Sequence, residues 1–144
     1  MKKILITFFL IIGFSFGYTI NELKLEAKIF EKVSVYLLSK KPVKVYILDN
    51  DLKLIVKYSP YLQKVDDPKK ADMIITSKKL PTELIALNKI VIGTKYFLLK
   101  EKYVTGAIFW HKGRPNIILL RDRLKAHKIK PPKALEKYVE DRIW

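Results

Sequence analysis

The sequence predicts a single α/β domain, a three-layer α/β sandwich built on a mostly parallel sheet of about five strands. Short apolar runs alternate with helix-like segments over the first two thirds of the domain, which is typical of crossover connections between parallel strands. The runs at Ile74-Ile75 and 90–92 are apolar on both faces, as expected of strands buried between two helical layers. A glycine-containing turn in the last third predicts a C-terminal β-hairpin, which terminal helices follow.

A long first helix is predicted to begin after Asn21, a favourable N-cap residue, and to stop at Pro42. Lys40 and Lys41 come at its expected C-terminal end, where the helix dipole favours positive charge. Apolar residues recur along this segment at three- and four-residue spacing: Leu23, Ala27, Phe30, Val33 and Leu37.

Apolar runs bounded by turn residues predict the strands Val43–Leu48, Ala71–Ser77, Ile90–Ile92, Val104–His111 and Asn116–Arg121. The last two strands flank the turn Lys112–Pro115 and form the predicted hairpin. Helical spacing or a favourable early proline predicts helical segments at Leu52–Tyr61, Pro81–Asn88, Tyr96–Tyr103, Asp122–His127 and Pro132–Ile143.

Residues 1–17 have the three-part layout of a secretory signal peptide. Two lysines follow the first methionine, and the apolar run 4–16 is short for a bilayer span. Ser15 and Gly17 supply small residues at the −3 and −1 positions of a cleavage site, so cleavage is expected before Tyr18. The chain is therefore predicted to be exported to the periplasm. The alternative is a protein that residues 4–16 anchor in the membrane.

Residues 18–144 are enough for one ordinary domain with its own core. The chain contains no cysteine, which excludes disulfides, thiolate metal sites and a cysteine nucleophile. Its net charge is +15, and it is +13 without Lys2 and Lys3. Such an excess attracts anionic lipid or envelope polymer, although lysines spread over nearly every segment also suit a solvated coat without a partner. Nucleic acid is not expected, since no helix concentrates arginine and no zinc knuckle occurs.

The candidate chemical groups do not form a recognisable catalytic pattern. His111 and His127 have no spacing that would bring them together with carboxylates, and no phosphate-binding glycine loop or nucleophile elbow occurs. The sequence 49–51 lacks the glycine and the distal glutamate of a calcium loop, so a turn is the simpler interpretation. No enzymatic activity, cofactor or metal is predicted.

Two candidate sites follow from where polar, basic and aromatic residues fall in the predicted fold. Asp49, Asn50, Ser77 and Thr94 come at the carboxyl ends of predicted parallel strands, where α/β folds place ligand crevices. They are also ordinary residues for strand-to-helix turns.

The predicted hairpin and the segment after it form the second site, a basic region with neighbouring aromatic residues. Phe109 or Trp110 is expected to face outward from an alternating strand, while Arg114, Arg121 and Arg123 would steer an acidic partner. A solvated basic surface with both aromatic residues in the core is the alternative.

The order of elements and several short patterns resemble the YfiR family of small bacterial periplasmic proteins, over most of residues 22–138. The patterns are the acidic turn after the first strand, Ala71–Ser77, Gly106–Ile108, Gly113–Ile117, and Arg123–Lys125 followed by Ile129 and Leu135. The chain departs from that family in having Lys41 before Pro42 where an aromatic residue is usual, in keeping a single glycine before the hairpin, and in lacking cysteine.

The resemblance implies a non-enzymatic regulator that binds the outward-facing part of an inner-membrane diguanylate cyclase and restrains it. Members of the family tend to dimerise, so a homodimer is a further expectation. Two other classes stay open: a periplasmic module that binds a small ligand or anion for a transporter, and an envelope protein held to anionic polymer or lipid by charge.

Overall fold

The computed structural model describes residues 20–143, without the side chain of Asp51; the predicted signal peptide and its cleavage site lie outside these residues. Four α-helices occur in the described part, at α1 (Ile20–Leu38), α2 (Lys53–Lys57), α3 (Thr82–Ile85) and α4 (Arg121–Ala126). The strands are β1 (Val43–Ile47), β2 (Leu62–Lys64), β3 (Met73–Thr76), β4 (Ile90–Gly93), β5 (Gly106–His111), β6 (Arg114–Leu120) and β7 (Val139–Glu140). Short 3-10 helices span Asn50–Leu52, Pro68–Lys70, Tyr96–Lys100 and Lys133–Tyr138.

The strands form one sheet in the order β2-β1-β3-β4-β5-β6-β7. The strands β1 to β5 are parallel to one another, and β6 and β7 run the opposite way because the β5–β6 hairpin reverses the chain. The predicted α/β class with a mostly parallel sheet is confirmed. The sheet has seven strands in place of about five, because β2 and β7 extend its two edges.

Two apolar layers bury the sheet, and alternate residues of each strand enter opposite layers. Met73 and Ile75 pack with Phe30 of α1 and Ile55 of α2, whereas Ile74 packs on the other side. The second layer is built from α3 and the 3-10 helix Tyr96–Lys100. Strands β3 and β4 are buried at every position, as their two-sided apolar runs predict.

Helix α1 forms as its apolar spacing predicts, with Phe30, Val33 and Leu37 against the sheet. Its ends differ from the prediction. The helix already includes Ile20, so Asn21 lies within it and is not its N-cap. It ends at Leu38, and Ser39 then adopts a positive φ of 50°, which turns the chain before the predicted lysine end is reached.

The β5–β6 hairpin is tighter than predicted. Lys112 and Gly113 have φ values of 52° and 74°, so these two residues alone make the turn, and His111 pairs with Arg114. These values are those of a type I′ turn, which has positive φ at both central residues, and glycine adopts this conformation without cost at the second.

Three predicted helical segments are shorter or different. Leu52–Tyr61 keeps only the turn Lys53–Lys57 as α-helix, and Tyr96–Tyr103 contains a 3-10 helix. The predicted C-terminal helix Pro132–Ile143 is wrong: its first part is the 3-10 helix Lys133–Tyr138, and β7 follows. Here Val139 pairs with Leu119, so sheet pairing overrides a weak helical pattern.

Candidate functional site

The carboxyl edge of the parallel strands brings together side chains from β1, β3 and β4. In the strand order β2-β1-β3, the strands that follow β1 in the sequence lie on both sides of it. In folds of this order, ligands bind in the crevice between β1 and β3. Ser77 follows β3 directly, and Asp49 comes two residues after the end of β1. The predicted position of the crevice therefore coincides with the switch point of the sheet.

Asp49 occupies this switch point itself. Its side chain is only 9% exposed, and its Oδ2 accepts a hydrogen bond of 2.6 Å from the backbone N of Ser77. The Lys78 Nζ lies 3.7 Å from the other carboxylate oxygen. The carboxylate thus bridges the turns after β1 and β3. This arrangement joins the two turns into one unit.

The other two predicted crevice residues, Asn50 and Thr94, do not take part in the contact between Asp49 and Ser77. Asn50 is exposed and begins a 3-10 helix. Thr94 is half-buried, and its backbone N donates to Thr76 O, while its hydroxyl has no hydrogen-bond partner among the described residues. A ligand role for Asp49, Asn50, Ser77 and Thr94 stays a prediction.

A buried carboxyl that the sequence analysis missed lies near this edge. Glu26 is 6% exposed, and the Trp110 indole hydrogen-bonds to it. Burial raises the pKa of Glu26, while the bond from Trp110 and the charge of Lys95 act in the opposite direction. Because α1 leads into β1 through a short turn, its first half lies over the carboxyl ends of the strands. The available signal was a glutamate beside Ala27 in the apolar stripe of α1.

The hairpin aromatic residues are both half-buried. Phe109 contacts the Tyr96 ring edge-on, with 5.5 Å between ring centroids, on the second layer. Trp110 points to the opposite layer, where Glu26 lies. The two side chains point to opposite faces of the sheet, as an alternating strand predicts. Neither ring is fully exposed, because Tyr96 covers Phe109 and α1 covers Trp110.

Two of the three predicted docking arginines are held within the chain. The Nε and Nη2 atoms of Arg121 each lie 2.8 Å from a carboxylate oxygen, of Asp141 and Glu136 respectively. These bonds fasten the C-terminal segment to the end of β6. Arg114 is exposed on β6 beside the hairpin turn.

Arg123 has a structural contact of its own. Its Nη1 donates to the carbonyl oxygens of Leu99, Glu101 and Val104 at 2.6, 2.8 and 2.8 Å. Burial lowers the pKa of the guanidinium from its ordinary value. The side chain therefore holds the connection between the 3-10 helix Tyr96–Lys100 and β5. The partner-binding role predicted for Phe109, Trp110, Arg114, Arg121 and Arg123 stays a prediction.

The two histidines lie at opposite ends of the parallel strands. His111 ends β5 and is exposed, whereas His127 follows α4 and is half-buried, where burial lowers its pKa. His127 lines a cavity of about 300 Å³ together with Lys89, Lys102, Arg123 and Thr105. Within residues 20–143, no group of three histidine, aspartate or glutamate side chains is placed to hold a metal ion. No helix of this part is long and apolar enough to cross a bilayer.

Comparison with known proteins finds a similar fold and no family. No family model matches the chain, and no curated protein is significantly similar to it. A solved structure, described as a conserved domain protein from Vibrio cholerae O1 biovar eltor str. N16961, superposes with a TM-score of 0.53 at 9% identity. The match covers 81% of this chain and 58% of that one, so the chain spans less than two thirds of its length. This similarity supports the α/β fold alone, and the resemblance to the YfiR family stays a prediction.

Proposed function

We propose that this chain is an exported, non-enzymatic regulator that binds an inner-membrane signalling protein, such as a diguanylate cyclase, through its β5–β6 hairpin. The observation that carries the proposal is the length of the hairpin. The ladder between β4 and β5 ends at Ala107, whereas β5 continues to His111. The hairpin therefore projects past the sheet, and its turn presents Lys112 and Arg114 to solvent.

The base of this hairpin is braced on both faces. Phe109 packs on Tyr96 on one side, and Trp110 hydrogen-bonds Glu26 of α1 on the other. A projecting element held in this way loses little conformational freedom on binding, which favours affinity.

The charges of the turn suit an acidic partner. Lys112 and Arg114 have no carboxylate partner within 4.0 Å in the part of the chain described, unlike Arg121. Rim charges of this kind mainly raise the association rate and fix orientation. The regulator then acts by a binding equilibrium: it restrains its partner to the extent that it binds the inactive state more tightly than the active one.

A gene deletion in the native host tests the proposal. We expect cyclic di-GMP to rise in the deletion strain and to return to its original level when the wild-type gene is restored. A Lys112→Glu/Arg114→Glu variant should fail to restore it, because reversed charges repel an acidic partner. A Lys69→Glu/Lys70→Glu variant is the matched control, since these exposed lysines lie in the connection before β3. Immunoblotting must show equal amounts of each variant. Equal restoration by both variants would show that the hairpin turn is not the docking surface. An unchanged cyclic di-GMP level in the deletion strain would show that the protein does not restrain a diguanylate cyclase.

A second candidate function is small-anion binding for a transporter. The cavity beside His127 favours it, because Lys89, Lys102 and Arg123 line a space of about 300 Å³ in which Asp122 is the one carboxylate. Lys102 carries the argument, since Lys89 Nζ donates to Lys69 O and Arg123 Nη1 donates to three carbonyl oxygens. That cavity lies away from the predicted crevice, which Asp49 bridges. Thermal melting with and without inorganic phosphate or a short-chain carboxylate separates the candidates: a rise in melting temperature that Lys102→Gln abolishes would favour the transporter module.

A further inference from the structure

The outer face of the α1–α2 layer carries most of the large apolar side chains that the described chain exposes. Leu25 and Tyr36 of α1 are 46% and 45% exposed, and Leu54 and Tyr61 are 42% and 43% exposed. Ile20, at the start of α1, is 61% exposed. Scattered exposed apolar residues need no explanation, but several on one face indicate a surface that meets something other than water.

A groove of about 490 Å³ crosses this face between α1 and the segment that follows α2. Three tyrosines line it, Tyr36, Tyr58 and Tyr61. Five exposed lysines surround these rings: Lys24, Lys28, Lys32, Lys41 and Lys57. We call these eight residues, with Leu25 and Leu54, the tyrosine–lysine face.

Several of these lysines lie directly against the aromatic rings. The Lys41 Nζ is 4.6 Å from the centre of the Tyr61 ring, and the Lys24 and Lys57 ammonium groups lie 6.0 and 5.7 Å from that of Tyr58. Contacts of this kind keep the ammonium groups close to the apolar surface. The one carboxylate that lines the groove, Glu31, accepts a hydrogen bond of 2.7 Å from the Ser59 hydroxyl. Positive charge therefore predominates on the face.

The composition of the face narrows the choice of partner. A second copy of the chain would bring like charges together, so self-association through this face is disfavoured. The four arginines of the chain, at positions 114, 121, 123 and 142, are all outside it. Protein interfaces are enriched in arginine and depleted in lysine, because arginine binds carboxylates with two parallel bonds. Lysine with tyrosine and leucine is instead the combination found at membrane–water interfaces.

We propose that the tyrosine–lysine face binds the surface of an anionic phospholipid bilayer peripherally. The lysines would lie among the lipid phosphates, with the tyrosine rings and Leu25 at the boundary of the acyl chains. Helix α1 also follows the apolar run 4–16 in the sequence, and the alternative in which that run anchors the chain would keep this helix beside a membrane. The face shares no residue with the hairpin turn, so the two surfaces can be altered separately.

Flotation with phospholipid vesicles tests the proposal on the exported, processed chain. We expect binding to vesicles of phosphatidylcholine mixed with phosphatidylglycerol, weaker binding as salt rises, and little binding to phosphatidylcholine alone. Each lysine near an anionic surface contributes about a fivefold increase in affinity, so Lys28→Gln/Lys32→Gln should weaken binding about 30-fold. Leu25→Ser/Tyr36→Ser should weaken it at least about tenfold at every salt concentration.

Lys79→Gln/Lys100→Gln is the matched control, because these exposed lysines adjoin Leu80 and Leu99 of the opposite layer and their loss removes the same charge. We expect this variant to bind as the wild type does. All the substituted residues are exposed, and circular dichroism checks that each variant is folded. Equal losses in the two lysine variants would overturn the proposal, since they would indicate net charge rather than a surface. Binding to poly-L-glutamate in preference to the anionic vesicles would also overturn it, in favour of an acidic protein partner.

Discussion

Arg123 should contribute more to stability than any other charged side chain at the predicted docking site, and Arg123→Met tests this. The substitution keeps most of the apolar stem and removes the guanidinium, leaving the carbonyl oxygens of Leu99, Glu101 and Val104 without their donor. One Nη atom carries two protons, so three acceptors share about two hydrogen bonds. Hydrogen bonds to charged groups contribute about 1.5–3 kcal/mol each when buried. Because Arg123 is half-buried and water can replace part of the loss, we expect unfolding free energy to fall by about 2–4 kcal/mol.

Urea denaturation followed by circular dichroism measures this loss, provided that the slope m is unchanged. Arg123→Lys should fall between the wild type and Arg123→Met, since a lysine reaches fewer carbonyls from one ammonium group. Lys125→Met is the matched control on the same helix, and its exposed side chain should change stability by less than about 0.5 kcal/mol. If Arg123→Met is no more destabilising than Lys125→Met, then the guanidinium does not hold the connection before β5, and the docking role predicted for Arg123 gains weight.

Three further changes test other parts of the structure. Ile92→Ala removes a side chain buried on the α1 side of the central strand β4, and it should cost about 2–5 kcal/mol in urea denaturation; a loss below about 1 kcal/mol would mean that the strand is misplaced. Gly106→Ala should cost about 1–3 kcal/mol by the same measurement, because its Cβ would lie 2.5 Å from the Ile118 carbonyl oxygen; an unchanged midpoint would contradict this close approach. Glu26→Gln should raise the melting temperature at neutral pH. Its pKa is higher in the folded than in the unfolded chain, so ionised Glu26 opposes folding, and the gain should disappear as acidification protonates the wild-type carboxyl; a gain that does not depend on pH would count against this reasoning.

The central strands could be predicted from sequence, whereas the edge strands could not. The segments at β3 and β4 are apolar on both faces, as strands buried between two helical layers are, and they are too short and too rich in β-branched residues for a helix. In β2, by contrast, Leu62 is the one buried residue and two exposed polar residues follow it. Strand β7 has two half-buried residues, too few for any periodicity. Strands β2 and β7 form because β1 and β6 supply their hydrogen-bond partners. The local sequence of an edge strand does not show that such a neighbour is present.

Some contacts at the candidate sites could likewise be predicted from sequence, and others could not. The meeting of Asp49 and Ser77 followed from parallel strands ending at one edge, and their hydrogen bond confirms that proximity. The contact between Glu26 and Trp110 joins α1 to a strand far along the chain, so the spacing of residues gives no hint of it. Arg123 is predicted to be a docking residue because it belongs to a cluster of basic residues in and after the hairpin. Its three acceptors come from a distant connection whose path depends on the tertiary fold.

The brevity of the two outermost strands has a consequence for how copies of this protein can meet. A long, flat edge strand offers unpaired backbone groups to another molecule, and joining at such edges leads to continuous sheets and aggregates. Here β2 offers three residues, with Lys64 exposed at its end, and β7 offers two. A ladder of that length gives too few intermolecular hydrogen bonds to hold two molecules together. We therefore expect a homodimer of this chain, if it forms, to contain two separate sheets rather than one sheet shared across its axis.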